Sequence, residues 1–387
     1  MTIRRLRLAL VVAAVATVAL AGCAPAAGTP APHSTAVTKK HPPVHHTAVP
    51  TLDTTPPAAR VPSPCSSLIT PAELTAWQGS AVTALAPSAV ATGDLADPSM
   101  QLPVADYVRA AGGLDCLWAA GPFDHYNPDP SAVPSYLEIT VQFNATAEYN
   151  ENAASVGASN GRAGECDVDD PGSICQIDDL VGTAWIEIYS RKAVGTGTGS
   201  EGISTIENSV LAAVSAAGTP AGLPETQAGT TPLGTSCTSF VSIAAVQAAV
   251  GSGALTAATI PQQQSYGSAL STPVWLPSQD ALKDQPCAFS SGATRQATIS
   301  WIPGGAWAWN ENRSQTLAEA PLQSLTIAGQ QAGDSAAIRC SSTETTCTVD
   351  LELGGNWIEA TVPASSTAAN KRTAATKLAS DIVGMLG

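Results

Sequence analysis

Basic side chains are scarce in this 387-residue chain: 17 Lys and Arg stand against 31 Asp and Glu, and Arg4, Arg5 and Arg7 use up three of them within the first seven residues. Nucleic-acid binding needs clustered Lys and Arg to neutralise phosphates, so this balance excludes DNA and RNA as partners and argues against a basic membrane-docking surface. Aromatic side chains make up 5% of the chain, with four Phe, and much of the apolar fraction is Ala, so each hydrophobic core is expected to be modest for its size. No apolar run reaches the roughly 20 residues of a membrane-spanning helix. Histidine is sparse too, and none follows His125. The pentapeptide Gly157-Ala158-Ser159-Asn160-Gly161 has the pattern of a nucleophile elbow, but it lacks a later histidine and the flanking strand and helix, which excludes a serine hydrolase of that type.

Cysteine, in contrast, is plentiful and ordered. Cys23 stands alone; Cys65, Cys116, Cys166 and Cys175 form one set, and Cys237, Cys287, Cys340 and Cys347 a second with nearly the same rhythm. Ahead of Cys23, three arginines precede the apolar residues 8–20 and then Ala21-Gly22, which is the layout of an export signal over residues 1–22. Leu20-Ala21-Gly22-Cys23 has the form of a bacterial lipobox, so Cys23 is expected to carry a diacylglyceryl group and a further acyl chain such as palmitate. Two or more chains, at about 0.8 kcal/mol per buried methylene, suffice for stable anchoring. Loss of the leader would move the formal charge from −14 to −17, since it removes three arginines and no acid.

Residues 23–64 read as the lipidated cysteine and an unfolded Pro/Thr/Ala tether, with ten prolines between positions 24 and 64 and few large apolar side chains. His41, His45 and His46 lie in it without a rigid scaffold to orient them, so they read as part of a solvated spacer rather than as a metal site. About 320 residues remain, which suits two domains of roughly 150. Oxidising conditions outside the cytoplasm make disulfides available to both.

The two cysteine sets head two similar stretches, residues 65–217 and 237–387, joined by a Gly/Pro/Thr-rich linker over 218–236. Cys65 is followed by Thr70, Pro71 and Glu73, an N-cap, a first helical residue and a capping-box acid, with Ile69 and Leu74 at the staple positions and Gly79 as the stop. Ser242, Val241, Val246 and Gly251 repeat this after Cys237, with Ala245 in place of the acid. Cys116-Leu117-Trp118 and Cys287-Ala288-Phe289 each precede an alternating strand: Leu137, Ile139, Val141 and Phe143 share a face in the first, and Ala297, Ile299 and Trp301 in the second. Hairpin patterns then run from Cys175 to Trp185 and Glu187, and from Cys347 to Trp357 and Glu359, and each stretch closes on an amphipathic helix. The expected fold is α+β: two tandem related domains, each with a short N-terminal helix, an antiparallel sheet of about four to six strands, and a C-terminal helix packed on one sheet face.

Four cysteines allow three pairings. First-to-second and third-to-fourth is preferred, because the short intervals close locally and tolerate drift in length: Cys65–Cys116, Cys166–Cys175, Cys237–Cys287 and Cys340–Cys347. Every cysteine is thereby assigned to anchoring or structure.

At Cys65 to Leu74, a Cys-x-x-Leu-hydrophobic-Thr-x-x-Glu-Leu helix start, and at Cys116 to Trp118, the chain resembles an actinobacterial envelope lipoprotein family of uncharacterised function. It is more loosely similar to the extracytoplasmic sensor domains of mycobacterial receptor kinases, which also use two disulfides around a helix-and-sheet core. The second stretch departs from the pattern at Ala245 and Phe289. The resemblance implies a binding or sensing role at the cell envelope, on the outer face of the cytoplasmic membrane, and brings no catalytic residues.

The remaining candidates are weaker. Trp301, Trp307 and Trp309 flank Pro303-Gly304-Gly305, and a hairpin there would present Trp307 and Trp309 as a stacking platform for a sugar or peptide; burial in the core is the competing explanation. Glu165, Asp167, Asp169, Asp170, Asp178 and Asp179 crowd around Cys166 and Cys175, which suits either calcium or a solvated acidic loop. The glycine-rich segment 197–202 fits a dinucleotide fingerprint, but a linker follows it rather than a second parallel strand, and a strand-to-helix loop explains it. The expected function is a non-enzymatic, lipid-anchored protein without a cofactor that binds a cell-wall glycan, a peptide or an envelope protein. The alternative is a hydrolase of envelope polymers that uses carboxylates.

Overall fold

A computed structural model describes residues 51–60, 64–85, 102, 104–121, 134–155, 162–166, 174–218, 222, 224–260, 282–284, 286–313 and 322–386. The lipobox, His41, His45, His46, the segment 157–161 and the acids Asp167, Asp169 and Asp170 lie outside the described residues. Among the described residues no helix is long and apolar enough to cross a membrane.

The first helix, α1 (Pro71–Gln78), begins where local chemistry demands. Thr70 accepts from the Glu73 amide, Glu73 reaches back to the Thr70 amide at 2.8 Å, and Gly79 ends the helix at φ +78°, a left-handed geometry that suits glycine. Helix α5 (Ile243–Val250) repeats this with Ser242 capping Ala245 and Gly251 at φ +70°. Ile69, Leu74, Val241 and Val246, the staple residues, are all buried.

The chain forms two antiparallel sheets. Strands β1 (Thr83–Leu85), β2 (Leu114–Ala119), β3 (Tyr136–Gln142), β4 (Arg162–Cys166), β5 (Ile174–Val181) and β6 (Ala184–Arg191) make the first, in the order β1-β2-β3-β6-β5-β4. Strands β7 (Thr256–Thr259), β8 (Cys287–Ser291), β9 (Thr294–Ile302), β10 (Gln323–Ser324), β11 (Ser335–Cys340), β12 (Cys347–Leu353) and β13 (Asn356–Val362) make the second, ordered β7-β8-β9-β13-β12-β11-β10. Apart from the two-residue β10, the two orders are the same. The register agrees as well: Cys116 faces Ile139 as Cys287 faces Ile299, and Asp178 faces Glu187 as Asp350 faces Glu359.

Each sheet buries one face against its first and last helices. In the first sheet Cys116, Trp118, Ile139, Val141, Ile186 and Ile188 pack with Leu74 and Trp77 of α1 and with Ile206, Val210 and Val214 of α4 (Ile203–Ala217). In the second, Phe289, Ile299, Trp301, Ile358 and Ala360 pack with Val246 and Val250 of α5 and with Leu378, Ile382 and Val383 of α7 (Lys371–Leu386). The disulfides join Cys65 to Cys116, Cys166 to Cys175, Cys237 to Cys287 and Cys340 to Cys347.

Both sheets are also covered on the opposite, outer face. Trp185, which alternates out of the first core, lies with Tyr149 of α3 (Thr146–Ser155) at 5.6 Å between ring centroids. Trp357 is covered likewise by α6 (Ala306–Asn312), its ring 5.9 Å from that of Trp309. Part of the proline-rich segment is engaged too: the Asp53 amide donates to the Ala228 carbonyl at 3.0 Å and the Arg60 amide to the Gly112 carbonyl at 2.9 Å.

Candidate functional site

The tryptophan platform is overturned. No hairpin forms at residues 303–305. The chain instead turns through Gly304, at φ +66°, directly into α6, and Trp307 and Trp309 are 1% and 3% exposed. The reason lies in what α6 covers. Its indoles cluster with Trp357, Ile302 and Ala337 of the second sheet, and with Leu102, Tyr107 and Ala110 from around helix α2 (Val104–Ala110) of the first stretch. They are a seam, with the Trp309 indole donating to Ser335 at 2.8 Å. Arg109 of α2 completes it: its guanidinium stands 4.4 Å from the Trp307 ring centroid, bonds Glu311 at 2.8 and 3.2 Å, and reaches Asp106 at 3.1 Å. Asn312 donates to the other Asp106 oxygen at 2.8 Å. Burial raises the Asp106 carboxyl to about 6 despite Arg109 beside it.

The outer faces of the two sheets, which match in register, differ sharply in charge. In the second sheet Asp350 on β12 and Glu359 on β13 are cross-strand partners and almost fully buried. Arg339 on β11 lies between them, 3.6 Å from Asp350 and paired closely with Glu359, and the Trp357 indole donates to Asp350 at 3.1 Å. A guanidinium has the planar fork needed to satisfy two carboxylates on neighbouring strands.

In the first sheet the same positions hold Asp178 and Glu187, and the Trp185 indole donates to Asp178 at 2.8 Å. The register position of Arg339 is taken by Glu165, one residue before the third cysteine of its set. A neutral amide stands in: Gln176 donates to Glu187 at 2.9 Å and to Asp178 at 3.3 Å. Two further acids share this face. Glu138 on β3 occupies the position of Thr298, and Asp115 on β2 that of Pro286. Asp115 is 3% exposed and its Oδ1 accepts no hydrogen bond, whereas Glu138 and Glu187 are only half-buried. Tyr136 and Tyr189, with rings stacked at 5.9 Å, and Arg191 continue the face along β3 and β6.

Four carboxyls gathered on one face, two of them fully buried, resist ionising together. Burial, with the neighbouring acids, raises Asp115 and Glu187 well above the usual range; burial brings Glu138 to about 7 and Asp178 to about 6. Unfolded carboxyls titrate near pH 4, so between about pH 4 and 7 the folded chain binds more protons than the unfolded one. Stability is therefore highest below that window and falls as pH rises through it. The thermal unfolding midpoint is expected to be higher at pH 5 than at pH 7.5 at fixed salt; a midpoint that climbs across this range would contradict the assignment.

Glu187 and Glu359 recur after tryptophan in the sequence and Asp178 falls in its acid-rich segment, but no spacing brings these acids together as a face. The signal was present as Leu137-Glu138-Ile139-Thr140-Val141, an acid on the polar side of an alternating strand. Among the described residues no group of acids, His and Cys is arranged to hold a metal ion. Asp178 is committed to Trp185 and Gln176, and Asp179 on the next position alternates to the other side of β5. The glycine-rich segment 197–202 is the connection from β6 to α4, with Gly202 left-handed at φ +72° ahead of Ile203.

No protein-family model matches the chain, and no curated protein matches it. Among solved structures the chain is similar to DynU16, a protein in the dynemicin biosynthetic locus, at 10% identity over 79% of this chain and 95% of that chain, with a TM-score of 0.10. A likeness that low constrains neither fold nor function.

Proposed function

We propose that this chain is a lipid-anchored, extracytoplasmic binding or sensing protein of the bacterial cell envelope, without catalytic activity, built from two tandem copies of one domain over residues 65–217 and 237–387. The observation that carries the binding reading is the contrast between the two outer sheet faces. The second neutralises its own buried acids with Arg339, while in the first Asp178 and Glu187 meet the Gln176 amide, and Glu138 and Asp115 add two more carboxyls to the same face. Equal strand order and register support the duplication, and the lipobox at Cys23 supports anchoring.

Envelope polymer hydrolysis is the second reading, favoured by Glu138, a carboxyl raised to about 7 that would serve as a general acid. Cell-wall glycan and peptide fragments titrated into the protein, with thermal stabilisation and turnover read in the same samples, separate the two. Stabilisation without turnover is expected; turnover lost in Glu138→Gln would establish the hydrolase instead. Replacing Cys23 with Ala is expected to move the protein from the membrane fraction to the soluble one.

A further inference from the structure

The second sheet shows what its outer face is built to hold. Asp350, Glu359 and the Trp357 indole form a fixed cradle, and the group placed in it is the guanidinium of Arg339. The first sheet repeats the cradle with Asp178, Glu187 and the Trp185 indole, in the same register, and extends it with Glu138 and Asp115. We propose that the outer face of the first sheet binds an arginine side chain presented by a peptide or protein partner, seated where Arg339 sits in the second sheet.

Three observations converge on this. Asp115 is buried on the same acidic face, two strands from Glu187, with its Oδ1 lacking a hydrogen bond. Glu138, Glu187, Gln176 and Tyr189 are all half-buried, so the first face is reachable, whereas Asp350, Glu359, Thr348 and Thr361 of the second are closed off. Of the described arginines, Arg109 is engaged with Glu311 and Asp106 at the seam and Arg191 stands at the Tyr136 end of the face, so neither takes the seat that Arg339 has in the second sheet. A guanidinium suits the site better than an ammonium, because one planar fork meets carboxylates on two adjacent strands at once.

The groups that face the site are Asp115, Tyr136 and Glu138 from β2 and β3, Gln176 and Asp178 from β5, and Glu187, Tyr189 and Arg191 from β6, with Asp106 and Arg109 approaching from α2. Cation binding favours their ionised forms, so binding is expected to release protons and to weaken as pH falls from 7.5 to 5.

This inference rests on the binding reading above, and its test separates the two. A triarginine peptide is titrated calorimetrically into the full folded chain, with tricitrulline and trilysine peptides in parallel. Saturable binding of triarginine is expected, at least tenfold tighter than trilysine, undetectable for tricitrulline, and tenfold weaker at pH 5. Glu138→Gln and Glu187→Gln, which keep shape and remove charge, are each expected to weaken it at least tenfold, while Glu225→Gln, exposed and remote in sequence, leaves it unchanged. Glu165→Arg, which recreates the internal cation of the second sheet, should raise the unfolding midpoint and abolish peptide binding. Equal affinity in the Glu138 and Glu187 variants, or equal binding of trilysine, means a diffuse attraction to a negative protein and overturns the proposal. Failure of triarginine with stabilisation by a cell-wall fragment overturns it too, while leaving the binding reading in place.

Discussion

Arg339→Ala is expected to destabilise the chain by about 3–5 kcal/mol, because it strands two buried carboxylates rather than simply removing a surface ion pair. The arginine side chain is 15% exposed and those of Asp350 and Glu359 are each 1% exposed, so water cannot replace the guanidinium. The change should fall mainly on the urea midpoint, and it should shrink at pH 5, where a proton on Glu359 takes over part of the neutralisation; burial already raises Glu359 well above the usual range. The corresponding substitution in the first sheet has the opposite sign. Glu187→Gln removes a charge that only a neutral amide meets, so at pH 7.5 it should be neutral or stabilising. Equal losses at both positions would refute the contrast between the two faces.

The second large effect concerns the disulfides. Cys237 and Cys287 close a separation of 50 residues, and Cys340 and Cys347 one of 7. In the chain-entropy account these constrain the unfolded chain by about 4 and about 2.4 kcal/mol respectively. Replacing Cys237 and Cys287 by Ala should therefore cost more than replacing Cys340 and Cys347, under oxidising conditions and by equilibrium denaturation. Packing adds to the difference. Cys237 precedes the turn into α5 and Cys287 opens β8, so the longer bridge also ties the entry helix to the sheet, whereas the shorter one joins directly paired residues of β11 and β12. A larger loss from the short bridge would show that native contacts, not loop length, decide.

Where a structural feature depends on near neighbours, the residues themselves announced it. Thr70, Pro71 and Glu73 specify the start of α1, and Gly79 its end, because capping is a matter of three or four consecutive residues. The alternation of Leu137, Ile139 and Val141, and of Ala297, Ile299 and Trp301, marks core-facing strand residues, since a strand turns its side chains over every two positions. The α+β class followed from such local signals.

Side chains on the polar phase of the same strands were harder to interpret. An acid at Glu138, Asp178 or Glu187 looks the same in sequence whether it meets water, a guanidinium or another acid. Which of these it meets depends on strand order, and β5 and β6 come between β3 and β4 only in the assembled sheet. Trp307 and Trp309 illustrate the same limit. Glycines ahead of them permit a turn, but whether the indoles point to solvent or into a seam depends on α2, about 200 residues earlier in the chain.

By itself, then, the sequence determined the pairing of the eight disulfide cysteines, the caps and the strand phases, all of which act over a few residues or a fixed spacing. Only the tertiary structure decided that one sheet sets an arginine between its paired acids, while a glutamine amide meets the matching pair of its counterpart and two further acids share that face. Charge compensation is a sum over strands brought together by folding, and a single position on one strand does not contain that sum.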